Sequence, residues 1–211
     1  MIDFSLYLVT DRNLSLGRST VDIVRAAIRG GVTCVQLREK ERATRELIEE
    51  ARALRHLLDA LETRIPLIIN DRIDVALAIG ADGVHLGQTD MHIADARRLA
   101  GSSLLIGISA ESVADAIRAE SEGADYIGIS PIFSTPTKKD TAPPLGLEGV
   151  RAIREAVSLP LVGIGGVKAD NAAAIIRAGA DGVAVVSAIV SAPCPTSAAT
   201  TLKQRIQSAK E

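Results

Sequence analysis

The chain has 211 residues, 47% of them hydrophobic and 24% charged, and two Phe and two Tyr are its whole aromatic complement. That length suits one sizeable α/β core, which must be largely aliphatic, and 24 basic against 26 acidic residues with so few rings excludes a nucleic-acid face of clustered cations and stacking aromatics. No stretch nears the roughly 18 uninterrupted apolar residues of a membrane helix, and the opening MIDFSLYLVT lacks the basic start and long apolar run of a signal peptide, so a soluble, cytoplasmic protein is expected.

Short β-branched runs alternate with longer Ala-, Arg- and Glu-rich stretches of helical period. Strands are expected at 6–10, 33–38, 67–70, 83–86, 104–109, 126–130, 161–165 and 182–186, with helical segments such as 21–29, 45–61 and 169–178 between them. Eight such units close a (β/α)8 TIM barrel, read as a single domain over 1–211. Ser19 or Thr20 is a candidate cap for the first helix and Asp170 a candidate start for the seventh. Three helices end in one phrase, Gly80-Ala81-Asp82-Gly83, Gly123-Ala124-Asp125 and Gly179-Ala180-Asp181-Gly182, which reads as a repeated αβ turn with glycine past the helix end. A doubly wound open sheet is the weaker alternative, because no Gly-x-Gly-x-x-Gly follows the first strand. The stretch 131–147, PIFSTPTKKDTAPPLGL, exceeds an ordinary βα connection and reads as a lid or binding loop, or more plainly as a solvated surface loop. Cys34 and Cys194 are too few for a disulfide scaffold and have no metal-ligand spacing, so both are expected to be free thiols.

In a barrel, chemistry gathers where the strands end at their C-terminal face. Alternation in the second strand turns Cys34, Gln36 and Arg38 inward, with Lys40 just above them. Arg38 alone reads equally as half of an interior ion pair or as part of an anion site, and Lys40 as a solvated charge. Asn70-Asp71 and Asp90 end the third and fourth strands near one corner of the opening. Two carboxylates facing Arg and Lys suit Mg²⁺ held against a phosphate, although Asp71 and Asp90 each also read as helix caps. His85 points inward, and a lone interior histidine reads as a packed core residue rather than a catalyst. Ser109 ends the fifth strand as a donor or a cap, and Thr135, Thr137 and Lys138 supply donors from the long loop. Gly165-Gly166 and Val186-Ser187 follow the seventh and eighth strands, where barrels recurrently bind phosphate, though the glycines also suit a tight turn. The whole implies two anion sites on one opening, one cationic with a metal and one built from neutral donors.

At these residues the sequence resembles the thiamine phosphate synthase family. The matching motifs are Gln36-Leu37-Arg38-Glu39-Lys40, Ile69-Asn70-Asp71, His85-Leu86-Gly87-Gln88-Thr89-Asp90, Gly107-Ile108-Ser109, Pro131-Ile132-Phe133 through Thr135-Pro136-Thr137-Lys138, Val162-Gly163-Ile164-Gly165-Gly166 and Val185-Val186-Ser187, in order over essentially the whole chain. The resemblance implies a (β/α)8 barrel that joins hydroxymethylpyrimidine pyrophosphate to hydroxyethylthiazole phosphate, releasing pyrophosphate with Mg²⁺. Gln36, Arg38, Lys40, Asn70, Ser109 and Lys138 would then bind the pyrimidine pyrophosphate. Asp71 and Asp90 would hold the metal, and Thr135, Thr137, Gly166, Val186 and Ser187 the thiazole phosphate. Pyrophosphate would leave first and the thiazole nitrogen would trap a pyrimidinylmethyl cation, a route that needs no strong protein base. With few rings to stack on, both heterocycles are expected to rest on phosphate handles, Mg²⁺, polar contacts and aliphatic walls. Family members often have Gly where Ser130 stands, and the short lead into Leu6 implies a sparsely covered barrel bottom. The implied partners are these two small molecules, with no nucleic acid and no membrane; a homo-oligomer is compatible. Two rivals stand beside this reading: a thiazole tautomerase-like barrel and a non-catalytic thiamine-phosphate binding protein.

Overall fold

A computed structural model describes residues 2–135 and 143–211. Eight parallel strands, β1 Leu6–Val9, β2 Cys34–Leu37, β3 Leu67–Asn70, β4 Gly83–Leu86, β5 Leu105–Ala110, β6 Tyr126–Ile129, β7 Leu161–Gly163 and β8 Gly182–Val185, close in sequence order into a barrel. Among the described residues the helices are α1 Thr20–Arg29, α2 Thr44–Asp59, α3 Ile73–Ile79, α4 Ile93–Ala100, α5 Val113–Ser121, α6 Gly146–Ala156, α7 Ala172–Arg177, α8 Ser187–Val190 and α9 Pro195–Lys210. The expected strands are all present; most stop one or two residues early, because the ladder ends where the chain turns into the mouth. No helix among the described residues is long and apolar enough to cross a membrane.

Alternation builds two cores. Outward strand residues such as Leu8, Val35, Ile69, Val84, Ile127 and Val183 pack against the helices in one aliphatic cluster. In α2 that cluster takes Leu47, Ala51, Leu54 and Leu58, spaced to share one face. Full burial of each Leu contributes roughly 1.5–3 kcal/mol. Inward residues form the second cluster: Phe4, Tyr7, Val9, Cys34, Ile68, Tyr126, Val162 and Ala184. Of the four aromatic residues, three therefore lie inside the barrel. Phe4 plugs the bottom, 7% exposed, with its ring 4.6 Å from that of Tyr126, so the bottom is covered, contrary to expectation. Gly107 makes room for this stack: a Cβ there would stand 2.1 Å from Tyr126 Cζ.

The repeated Gly-Ala-Asp phrase has a shared cause. Gly80, Gly123 and Gly179 take positive φ (63°, 88° and 111°), which turns the chain back under the sheet. Each following aspartate then accepts the backbone N–H that opens the preceding strand: Asp82 from Leu67 (2.8 Å), Asp125 from Ile106 (2.7 Å), Asp181 from Leu161 (2.8 Å). An arginine from a nearby helix anchors each one, Arg55, Arg97 and Arg154 respectively. In the first unit Thr33 Oγ1 plays the same part, accepting from Leu6 N at 3.1 Å. Helix starts are partly as expected. Ser19 caps α1 by accepting from Asp22 N, whereas the residue preceding α7 is Asn171 rather than Asp170, its side chain accepting from Lys168 N at 2.8 Å. Both cysteines are free, Cys34 buried and Cys194 exposed.

Candidate active site

The C-terminal ends of the strands surround a cavity of about 1150 Å³. Strands three and four places apart in the ring face each other across it. Gln36, Arg38, Lys40, Asn70, Asp71 and Asp90 line one side, Ser109 stands next to them, and Thr135, Gly166, Val186 and Ser187 line the other. Thr137 and Lys138 lie outside the described residues.

The second strand aims its polar ends as alternation requires. Arg38 N donates to Thr10 Oγ1 (3.0 Å), and its guanidinium pairs with Asp11 Oδ2 at 3.2 Å. The ion-pair reading of Arg38 is met, and the pair occupies one of five guanidinium donors on a residue that lines the cavity. The neighbouring Glu39 lies outside the cavity lining. Its Oε1 is buried without a hydrogen-bond partner, and burial, then Glu50 and Asp11, push its carboxyl up to about 7 against the pull of Arg38.

Asp71 does not cap a helix. The residue before α3 is Arg72, and Asp71 takes a left-handed φ of 61°, held by Asp71 N donating to His85 O at 2.8 Å. A non-glycine residue in that region carries backbone strain, least for Asp and Asn, and here the strain turns the carboxylate over the mouth. Asp90 is no cap either: α4 starts at Ile93, and Asp90 Oδ2 accepts from Gly87 N at 2.7 Å. Burial and then the adjoining Asp90 carboxyl raise the Asp71 carboxyl above the ordinary range, while Lys40, 3.5 Å away, lowers it. Two crowded carboxylates of this kind are relieved by a divalent cation, which can complete its shell from phosphate and water. Among the described residues no cluster of three or more His, Cys, Asp or Glu forms a metal cage. The donor set therefore fits Mg²⁺ shared with a phosphate better than a closed protein site.

Ser109 does not cap α5, whose cap is Ser112; it meets His85 instead. His85 points inward as expected, but stands at the cavity rather than in a closed core. It is half-buried at the cavity wall, with Nε2 3.0 Å from Ser109 Oγ and Nδ1 3.0 Å from Tyr126 Oη. Tyr7, Tyr126 and Phe133 also line the cavity, so the expectation of aliphatic walls alone is corrected as well. The rings are scarce in the chain and concentrated at the site. Across the mouth, Gly165 and Gly166 have φ of 99° and 65°, and their missing Cβ atoms leave room for Pro131, Phe133 and the Ser134 carbonyl. The glycines thus hold the strap after β6 against the turn after β7, with Phe133 N donating to Gly165 O at 3.0 Å.

Sequence reasoning placed His85 inward without a partner, met Phe133 only inside a motif, and singled out neither the two tyrosines nor Asp11. The missing signal was one of pairing, since each matters through a partner far away in the chain.

A family model described as thiamine monophosphate synthase matches residues 6–189. The thiamine-phosphate synthase of Chloroflexus aurantiacus is 54% identical over 211 residues, covering 100% of this chain and 96% of that protein. That of Albidiferax ferrireducens is 55% identical over 201 residues, covering 95% and 91%. The solved structure of thiamine phosphate pyrophosphorylase from Pyrococcus furiosus superposes with a TM-score of 0.90 at 39% identity, covering 99% of this chain and 98% of that one.

Proposed function

The chain belongs to the thiamine monophosphate synthase family, and on that premise we propose how its barrel mouth divides the work between two substrates. The reaction is a transfer in thiamine biosynthesis: 4-amino-2-methyl-5-hydroxymethylpyrimidine pyrophosphate and 4-methyl-5-hydroxyethylthiazole phosphate give thiamine monophosphate and pyrophosphate. Arg38 and Lys40, with Lys138 by sequence match, bind the departing pyrophosphate. Gln36, Asn70 and Ser109 hold the pyrimidine ring. Thr135, Gly166, Val186 and Ser187, with Thr137 by sequence match, take the thiazole phosphate.

The observation that carries this division is the asymmetry of the cavity. Its β2 to β4 side carries Arg38, Lys40 and the Asp71 and Asp90 carboxylates, while the β7 and β8 side offers the Gly165–Gly166 turn and the Ser187 hydroxyl, with Lys168 and Asp170 as its charged residues. Charge developing on a leaving pyrophosphate is best met by fixed cations in a site that excludes water. Asp71 and Asp90 are the residues that would hold Mg²⁺, which when bound neutralises pyrophosphate oxygens. Asp11 keeps the Arg38 guanidinium at the wall, so little reorganisation is needed as the C–O bond breaks. The cation left on the pyrimidine methylene is captured by the thiazole nitrogen, and the chain needs only to hold the two rings in line and dry. Phe133 and the strap that carries it cover that side of the cavity.

Calorimetry on single variants tests the division. Arg38→Ala is expected to weaken pyrophosphate binding at least about tenfold and leave thiazole phosphate binding within about twofold. Ser187→Ala is expected to do the reverse. Loss of both ligands in either variant, with the fold retained, contradicts two separate anion sites.

A further inference from the structure

A chain of side-chain hydrogen bonds crosses the barrel interior along the wall of the cavity. Gln36 Nε2 donates to Tyr7 Oη (2.9 Å), Tyr7 Oη meets Tyr126 Oη (3.0 Å), Tyr126 Oη meets His85 Nδ1 (3.0 Å), and His85 Nε2 meets Ser109 Oγ (3.0 Å). Both ends, Gln36 and Ser109, line the cavity. The fold makes room for the links. A Cβ at Gly107 would stand 2.5 Å from Tyr126 Oη, and one at Gly128 would stand 3.0 Å from His85 Cε1.

Proton counting gives this chain a direction. Each hydroxyl has one proton, and a neutral imidazole has one N–H. With Gln36 donating at one end, Tyr7 passes its proton to Tyr126 and Tyr126 passes its own to His85 Nδ1. The imidazole proton then sits on Nε2 and points at Ser109 Oγ. What remains for a ligand is the Gln36 carbonyl with the second amide N–H beside it, and at Ser109 a hydroxyl proton with one further lone pair. Turning one end round leaves a buried hydroxyl proton unpaired unless every link between them turns with it. Burial pushes both phenols well above the ordinary tyrosine range, which keeps them as neutral one-proton links.

We propose that Tyr7, Tyr126 and His85 are positioning residues that couple Gln36 and Ser109 into one donor–acceptor pair, and that this pair selects a 4-aminopyrimidine over its 4-oxo counterpart. A 4-aminopyrimidine presents an amino N–H beside a bare ring nitrogen, the complement of a carbonyl and a hydroxyl proton. The 4-oxo lactam presents a carbonyl beside a ring N–H, which inverts both partners. A ring tethered through its phosphate cannot exchange those two edges by sliding. Accepting the lactam therefore leaves the Gln36 carbonyl and the Ser109 proton without partners unless the whole chain of bonds turns over. The inference rests on the assignment of Gln36 and Ser109 to the pyrimidine.

The test is binding, kept apart from turnover. The ligands are the 4-amino and 4-oxo forms of 2-methyl-5-(phosphooxymethyl)pyrimidine, titrated calorimetrically at pH 8 into the unaltered protein, Tyr7→Phe and Tyr126→Phe. Both variants keep the ring and its packing. The unaltered protein is expected to prefer the amino form by at least about 100-fold. In each variant, with the unfolding midpoint retained, the ratio is expected to fall below about 10. Folded variants that keep the ratio within about twofold overturn the proposal. If the unaltered protein binds neither pyrimidine, the pyrimidine assignment falls and this inference with it; undiminished selectivity in the variants removes the inference alone. A second measurement needs no variant. Long-range ¹⁵N–¹H correlation at pH 8 is expected to show His85 as the Nε2–H tautomer. The Nδ1–H tautomer overturns the stated direction.

Discussion

Glu39 is placed where a charge is costly, and replacing it with glutamine measures that cost. One carboxylate oxygen is buried without a partner, and burial with Glu50 and Asp11 nearby raises its pKa to about 7 from the ordinary 4.5. Between those values the folded protein holds a proton that the unfolded chain has released, so folding stability falls as pH rises from about 4.5 to about 7 and then levels off. At about 1.4 kcal/mol per pH unit the gap corresponds to roughly 3 kcal/mol. The side chain is only half-buried and solvent screens part of the effect, which reduces the expected penalty to about 1.5 kcal/mol. Glutamine has nearly the shape of the protonated acid and never ionises. Urea unfolding at pH 5 and pH 8 is the assay: Glu39→Gln and the unaltered protein are expected to match within about 0.5 kcal/mol at pH 5, and the variant to be more stable by about 1.5 kcal/mol at pH 8. An equal difference at both pH values, or a less stable variant at pH 8, refutes the reasoning.

Four further outcomes follow from the geometry. Asp125→Ala strips the Ile106 N–H of its acceptor and Arg97 of its ion partner, and is expected to cost about 2–3 kcal/mol in denaturant unfolding with turnover per folded molecule unchanged. Gly107→Ala pushes a methyl group into Tyr126 and is expected to cost more than about 2 kcal/mol and weaken pyrimidine binding. Gly80→Ala, with φ of 63° and nothing within 4 Å, is expected to cost only about 1 kcal/mol and leave binding intact, so equal losses at the two glycines contradict the packing argument. Asp90→Asn keeps an acceptor for Gly87 N, yet is expected to raise the Mg²⁺ needed for half-maximal turnover at least about tenfold; an unchanged magnesium titration removes Asp90 from the metal site.

The barrel was legible because eight short β-branched runs and the helices between them carry different periods, and β3 and β4 begin and end where the pattern places them. Inward residues at strand ends were legible for the same reason: alternation settles which of Gln36 and Leu37 faces the axis. Pairing across the barrel was not. His85 reads as a lone interior histidine because Tyr126 and Ser109 lie 41 and 24 residues further along. Glu39 sits between two charged residues in the sequence, and nothing there signals that one of its carboxylate oxygens is buried. Aromatic content misled in a different way, since composition reports how many rings exist but not that they gather on one axis. The alternative reading of Asp71, Asp90 and Ser109 as caps fails because each side chain lines the mouth and the helix begins further on.

The most direct test mixes the purified protein with the pyrimidine pyrophosphate, the thiazole phosphate and Mg²⁺, and counts both products. Pyrophosphate and thiamine monophosphate are expected to appear one for one, and only when both substrates are present. A protein that binds thiamine monophosphate but releases no pyrophosphate, or that isomerises the thiazole instead, contradicts the account.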